Sequence, residues 1–276
     1  ALVSRLILSM PCDGSELWRG KEGSYPNSRR DLRSACHLHD CVDNGQDMSV
    51  YEEFFVGQQS GVFVEMGGLD GRWCSNTLAF EVALNWRGLL IEGNPQQCDK
   101  LQKSSSFRPW STKLCSAVAN QSGQIAWYQT PHPGIAAAVE AVETRMRRRE
   151  MWHPPGDSPV VVQAKAAPLG ELLRRGGITE VIDFFSLDVE GSEFAALETM
   201  DWTIPVRVWL IEMHEMTAQA RKAVRALLRG HGYVSDRQLT LPLGGDEVTM
   251  WPSSWPPTNF TRRKQRRFAR GGAGGA

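Results

Sequence analysis

The sequence predicts an α/β protein built on a doubly wound, mostly parallel sheet with helices on both faces. Three observations carry that prediction. Short apolar runs rich in β-branched residues recur between Gly61 and Glu212, bounded by Gly and polar clusters. Segments with apolar residues at helical spacing stand between them, and such alternation implies right-handed crossovers and parallel pairing. The chain has 276 residues, enough for one large domain with appendages and short for two.

Taken in order, residues 1–50 are rich in Ser, Arg, Asp, Gly and Asn and read as an irregular N-terminal arm. Residues 61–66 form a buried strand that meets a tight turn at Gly67-Gly68. A helix over 75–86 follows, with Leu78, Val82, Ala79 and Ala83 on its apolar side. Residues 88–92 are a second strand, 95–103 a helix with Pro95 in its first turn, and 112–119 a third strand. Residues 124–129 suit a hairpin strand and 135–150 a helix ending in Arg145, Arg147, Arg148 and Arg149. His153-Pro154-Pro155-Gly156-Asp157 breaks the chain before a strand at 160–162 and a helix at 169–175. A long apolar strand over 181–189, a helix at 192–199, and a strand at 206–212 come next. The helix at 217–229 puts Ala220, Val224, Leu227 and Leu228 on one face. Residues 232–234 and 247–250 close the sheet as an antiparallel edge. The α/β domain is therefore drawn at 51–252, and 253–276 as a basic, Gly-rich, disordered tail.

Composition excludes some classes. With 31 basic and 31 acidic side chains there is no basic field for a nucleic-acid partner. No apolar run approaches the roughly 20 residues of a membrane span. The apolar opening, residues 1–10, is broken by Arg5; it reads either as the remnant of a signal or anchor or as a buried segment. Six cysteines and two sequons, at Asn120 and Asn259, fit a secretory-pathway protein, with the cytoplasm as the alternative. Cys36-His37-Leu38-His39-Asp40-Cys41 lacks zinc-knuckle spacing and a second ligand pair, so no metal is expected and a disulfide or two plain thiols suit it better.

Ligands of open α/β sheets bind beyond the carboxyl ends of the strands, where strand order reverses. Glu65-Met66-Gly67-Gly68-Leu69-Asp70-Gly71 ends the first strand, where glycines permit a sharp turn and close approach to a ligand. Glu92 ends the second, the place from which a carboxylate holds the ribose hydroxyls of an adenosine. Two acids there suit a cofactor with a cationic amino-acid tail and would repel a pyrophosphate. The spacing of Gly67 and Gly71 is also not the G-x-G-x-x-G of dinucleotide sites, which disfavours an NAD-dependent dehydrogenase.

Phe63-Val64-Glu65-Met66-Gly67-Gly68-Leu69-Asp70-Gly71, Ser75-Asn76-Thr77, and Trp86-Arg87-Gly88-Leu89-Leu90-Ile91-Glu92-Gly93-Asn94-Pro95 resemble the FkbM family of methyltransferases. Ile182-Asp183-Phe184-Phe185-Ser186-Leu187-Asp188-Val189-Glu190-Gly191-Ser192-Glu193 resembles its second hallmark, in the expected order. Leu69 stands where most S-adenosylmethionine enzymes carry a middle glycine, as in the FkbM pattern. The resemblance implies a Rossmann-like fold, S-adenosylmethionine as donor, and O-methylation of a hydroxyl on a glycan or small metabolite. Carried over by position, Glu65, Gly67, Gly68, Asp70, Gly71 and Asn76 line the methionine side. Glu92, with Asn94 beside it, holds the ribose, and Ser116 and Ala117 flank adenine. Asp188 and Glu190 stand beside the methyl group, while Glu193 caps the following helix. His214 is the candidate general base, a plain loop histidine being its other reading. The acceptor pocket is expected from the 128–160 insert and the C-terminal loop with Trp251 and Trp255. The alternative is a catalytically silent FkbM-like domain used for interaction or trafficking. A silent domain would tolerate loss of Gly67, Gly71 or Glu92, and all three are present.

Overall fold

Successive residues of each central strand face opposite apolar layers, which is why these strands read as continuous hydrophobic runs. The computed structural model describes residues 46–129, 137–138, 160–213, 216–234, 238–240 and 246–252. Its strands are β1 (Val62–Met66), β2 (Arg87–Glu92), β3 (Ser111–Cys115), β4 (Ala117–Val118), β5 (Gly123–Gln129), β6 (Ala137–Ala138) and β7 (Val160–Ala167). They continue with β8 (Ile182–Leu187), β9 (Val206–Ile211), β10 (Tyr233–Val234), β11 (Gln238–Thr240) and β12 (Asp246–Pro252). The main sheet runs β10-β12-β9-β8-β1-β2-β3, with β11 also on β12. The five strands from β9 to β3 are parallel, and β12 is antiparallel to β9, β10 and β11. Order reverses between β1 and β8, which fixes the crevice where a ligand belongs. A smaller sheet, β4-β7-β5-β6, is inserted between β3 and β8.

The helices are α1 (Gln46–Val50), α2 (Leu78–Leu84), α3 (Pro95–Gln102), α4 (Leu169–Arg175), α5 (Glu193–Glu198) and α6 (Ala218–Gly230). On one face of the sheet Val64, Ile91, Phe185, Trp209 and Ile211 pack with Leu172, Leu197, Val224 and Leu228. On the other Phe63, Leu90, Phe184 and Val208 pack with Phe80, Leu84 and Leu101. α1 runs directly into a π-helical turn, Tyr51–Phe55, and Val50, Tyr51, Phe54 and Phe55 are buried in that second layer. Phe55 lies 5.0 Å from Trp86 and 5.9 Å from Phe80, both near-perpendicular, and Phe80 lies 5.1 Å from Phe184. The packed unit thus extends into the segment read as an arm.

Several element boundaries differ from the sequence reading, each for a local reason. The helix expected from residue 75 starts at Leu78, because the Ser75 hydroxyl accepts the Leu78 amide and Glu65 draws residues 75–77 away from the helix axis. The third strand breaks at Ser116, and Ala117 and Val118 join the smaller sheet as β4. Strand β8 ends at Leu187, leaving Asp188 in the loop beyond it. Ala137 and Ala138, read as helical, pair with Tyr128 and Trp127 instead. β10 and β12 close the sheet as the expected antiparallel edge, with β12 between β9 and β10. The arm through residue 45, the rest of the 130–159 insert, His214, Trp255, and the 253–276 tail lie outside the described residues.

Phe184→Ala, which empties the centre of the aromatic layer, should cost about 3–5 kcal/mol of stability. Urea unfolding should show this as a lower midpoint with a similar slope. An unchanged midpoint would mean that this layer does not carry the fold.

Candidate functional site

The loop after β1 is organised around a buried carboxylate. Glu65 Oε2 accepts the Ser75 hydroxyl at 2.8 Å and the Thr77 hydroxyl at 2.6 Å, and Oε1 accepts the Asn76 amide at 2.6 Å. Beneath it lies Arg108, fully buried. Its guanidinium donates to the Gly71 carbonyl (3.2 Å), Ser75 Oγ (3.0 Å) and Thr77 Oγ1 (2.7 Å). It pairs with Glu81 Oε2 at 2.7 Å and approaches Glu65 Oε2 at 3.9 Å. Glu81, buried in α2, accepts the Trp110 amide and the Ser111 hydroxyl. Burial raises the Glu65 pKa against the opposing pull of Arg108, Thr77 and Ser75. Glu65 thus positions the loop through three hydrogen bonds.

The other residues of this loop also hold its shape. Asp70 Oδ1 accepts the amides of Arg72 and Trp73 at 2.9 and 2.8 Å, a turn closed by a side chain. Asn76 donates from its side chain to Ser186 Oγ of β8 at 3.0 Å. At Gly67, φ is +92°, and a Cβ would fall 1.8 Å from the Asp188 carbonyl oxygen; at Gly71, φ is +84°, and a Cβ would meet Leu101 at 2.9 Å. The space freed by these two glycines is filled by protein, so the close approach inferred from the sequence is made to the chain itself. Gly68 has only ordinary contacts there, the nearest Leu90 at 3.6 Å.

Glu92, at the end of β2, accepts the Leu69 amide at 2.7 Å on one oxygen and the Asn94 amide at 2.6 Å on the other. Burial lifts its pKa to about 7, against three backbone donors. Asn94 caps α3 by accepting the Gln96 amide. Ser116, on the adjacent strand end, donates its amide to the Glu92 carbonyl at 2.9 Å, and Ala117 is buried under Trp127 of β5, which stands over Gly93. The ribose and adenine candidates are thus neighbours. A disulfide, Cys98–Cys115, ties α3 to β3 beside them.

Across the switch point, the ends of β8 and β9 bring three more acids together. One oxygen from each of Asp188, Glu190 and Glu212 lies within 4.8 Å of the others. Asp188 and Glu212 face each other closely enough that sharing a proton relieves their like charge. Burial, then Glu212, Glu190 and Glu193, hold Asp188 well above the usual carboxylate range. One oxygen apiece could also ligate a divalent cation, but acids alone do not select one. Glu193 accepts the amides of Val189 and Gly191, both at 3.1 Å, and so fixes the turn that carries Glu190 at φ +55°. The Asp188 amide donates to the Met66 carbonyl at 3.1 Å, joining this group to the β1 loop. His214 lies outside the described residues.

Sequence reasoning missed Arg108, Glu81 and Glu212. Glu212 was visible as the last residue of an apolar strand. Arg108, in a Ser-rich loop far from the motifs, carries no sequence signal.

The family model for the methyltransferase FkbM domain matches residues 56–235. No curated protein matches the chain. Among solved structures, an FkbM methyltransferase from Methylobacillus flagellatus KT aligns at 12% identity over 73% of this chain and 47% of its own, with a TM-score of 0.43. A precorrin-6y C5,15-methyltransferase from Geobacter metallireducens GS-15 aligns at 13% identity over 74% and 86%, with a TM-score of 0.38. An O-methyltransferase from Bacillus cereus, in complex with SAH, aligns at 11% identity over 90% and 94%, with a TM-score of 0.36.

Arg108→Met should destabilise the chain by about 3–5 kcal/mol, because it leaves the Glu81 carboxylate buried without its cation. Adding Glu81→Gln should recover part of that loss, measured by chemical denaturation of the single and double variants. Strict additivity would show that the pair is not coupled.

Proposed function

The chain belongs to the FkbM methyltransferase family, and on that footing we propose that it transfers a methyl group from S-adenosylmethionine to a hydroxyl of a glycan or small metabolite. The observation that carries this reading is the arrangement of acids on both sides of the β1/β8 switch point. Glu92 stands on one side, and Asp188, Glu190 and Glu212 stand on the other. Arg108, the buried cation of the loop, is already matched by Glu81 and Glu65. That donor set suits a ligand with hydroxyls and positive charge and disfavours a pyrophosphate.

When bound, S-adenosylmethionine supplies an electrophilic methyl on a sulfonium. Glu92, with three backbone donors on its four lone-pair sites, has one left for a ribose hydroxyl, while Ser116 and Ala117 flank the base. Glu65, Asp70, Asn76 and Arg108 hold the loop rigid, and Gly67 and Gly71 allow its path. An acceptor hydroxyl must shed its proton as it gains the methyl. The Asp188–Glu212 pair, which shares one proton, keeps a carboxylate oxygen able to take it. Most of the acceleration would come from positioning, with the base adding a smaller factor. The acceptor is proposed from the family resemblance and the acidic rim.

The first test is calorimetry with S-adenosylhomocysteine. Glu92→Gln should weaken binding by about 1.5–3 kcal/mol, since a charged acceptor is replaced by a neutral amide. For an acid whose pKa is raised to about 7, the accepting, ionised form dominates only above that value. Wild-type affinity should therefore rise as pH increases through about 7, and the Gln variant should lose that rise. No binding by the wild type would sink the cofactor assignment.

With an acceptor found by screening glycans and hydroxylated metabolites, Asp188→Asn should lower kcat far more than cofactor affinity. A variant that loses cofactor binding but keeps its turnover at saturation would place Asp188 with the cofactor instead.

A further inference from the structure

We propose that Asn120 is an acceptor for an N-linked oligosaccharide, added in an oxidising secretory lumen. Asn120-Gln121-Ser122 has the required Asn-x-Ser form with a middle residue other than Pro. In the fold it is the bend between β4 and β5, and all three of its residues are exposed. The Ser122 hydroxyl donates to Glu171 at 2.5 Å, which ties the bend to the first turn of α4. At Gly123, the next residue, a Cβ would meet nothing within 4 Å. The bend therefore stands clear of the protein and has room for a bulky, solvated group.

A second, independent observation points to the same compartment. Cys98 and Cys115 are joined by a disulfide that encloses α3 and the loop to β3, and Cys74 is disulfide-bonded as well. Bonds of this kind form and persist where the lumen is oxidising, which is also where sequons are modified. The reaction balances with a lipid-pyrophosphate-linked oligosaccharide as donor. A bond forms from the Asn120 amide nitrogen to the anomeric carbon as the bond from that carbon to the pyrophosphate oxygen breaks. The nitrogen loses a proton, and the lipid pyrophosphate leaves. The inference does not depend on methyl transfer.

The test is site-resolved mass mapping of the full chain, secreted from a eukaryotic host behind a cleavable signal. Amidase release of N-glycans should lower the mass and leave Asp at position 120, in protein whose Cys98–Cys115 bond is intact. Ser122→Thr should keep the modification, and Asn120→Gln and Gln121→Pro should abolish it at this site. Wild-type mapping alone reads occupancy, so a variant that fails to fold does not stop the test. Unmodified Asn120 in disulfide-intact, secreted protein overturns the proposal, even if Asn259 carries a glycan.

Discussion

A single guanidinium, removed from water, organises the region where the chemistry belongs. Arg108 lies between Glu81 and Glu65 with no solvent exposure. A charge so placed is tolerable only when its donors are satisfied. Gly71, Ser75 and Thr77 provide acceptors, and the carboxylates are in turn held by Asn76, Trp110 and Ser111. These partners come from the loop after β1, the start of α2 and the approach to β3. The planar fork of arginine can serve all three directions at once, where a lysine ammonium offers a point charge on a flexible stem. The shape of the loop after β1 is thus set from below, by a residue with no place in either motif.

How much of this was legible follows the physics of each signal. Strands β1, β2, β8 and β9 are covered on both faces, so burial wrote itself into the sequence as unbroken apolar runs. Helix α2 was overdrawn because residues 75–77 have helix-compatible character, while a carboxylate ten residues upstream captures them. The break at Ser116 was invisible, since a strand that changes sheets keeps its strand-like composition. Glu92 could be picked from its position at a strand end. Arg108 could not, because a buried ion network is a property of three distant segments and leaves no periodicity in any of them. The cysteine pairing was likewise missed: Cys98 and Cys115 are brought together by the parallel pairing of β2 with β3, not by local spacing.

The two halves of the site are not independent. Met66 and Gly67 end β1, and each touches Asp188: the Met66 carbonyl accepts the Asp188 amide, and the absent side chain of Gly67 leaves room for the Asp188 carbonyl. The turn after β1 and the residue that opens the carboxylate group are in backbone contact. A shift of either strand end moves both. The acid-rich rim therefore behaves as one surface, with Glu92 and the Asp188–Glu212 pair held at a fixed separation by the sheet.

The wedge formed by Tyr51, Phe54 and Phe55 has a practical reading in protein engineering. The family match begins at residue 56, yet Phe55 sits at the heart of the aromatic layer, against Trp86, Phe80 and Phe184. A gene fragment cut at the homology boundary would encode a polypeptide with an open greasy slot along one side of its sheet. Such a slot invites self-association and capture by chaperones. The family match and the packed unit are different lengths of chain, since residues 46–55 and strand β12 both pack outside the match.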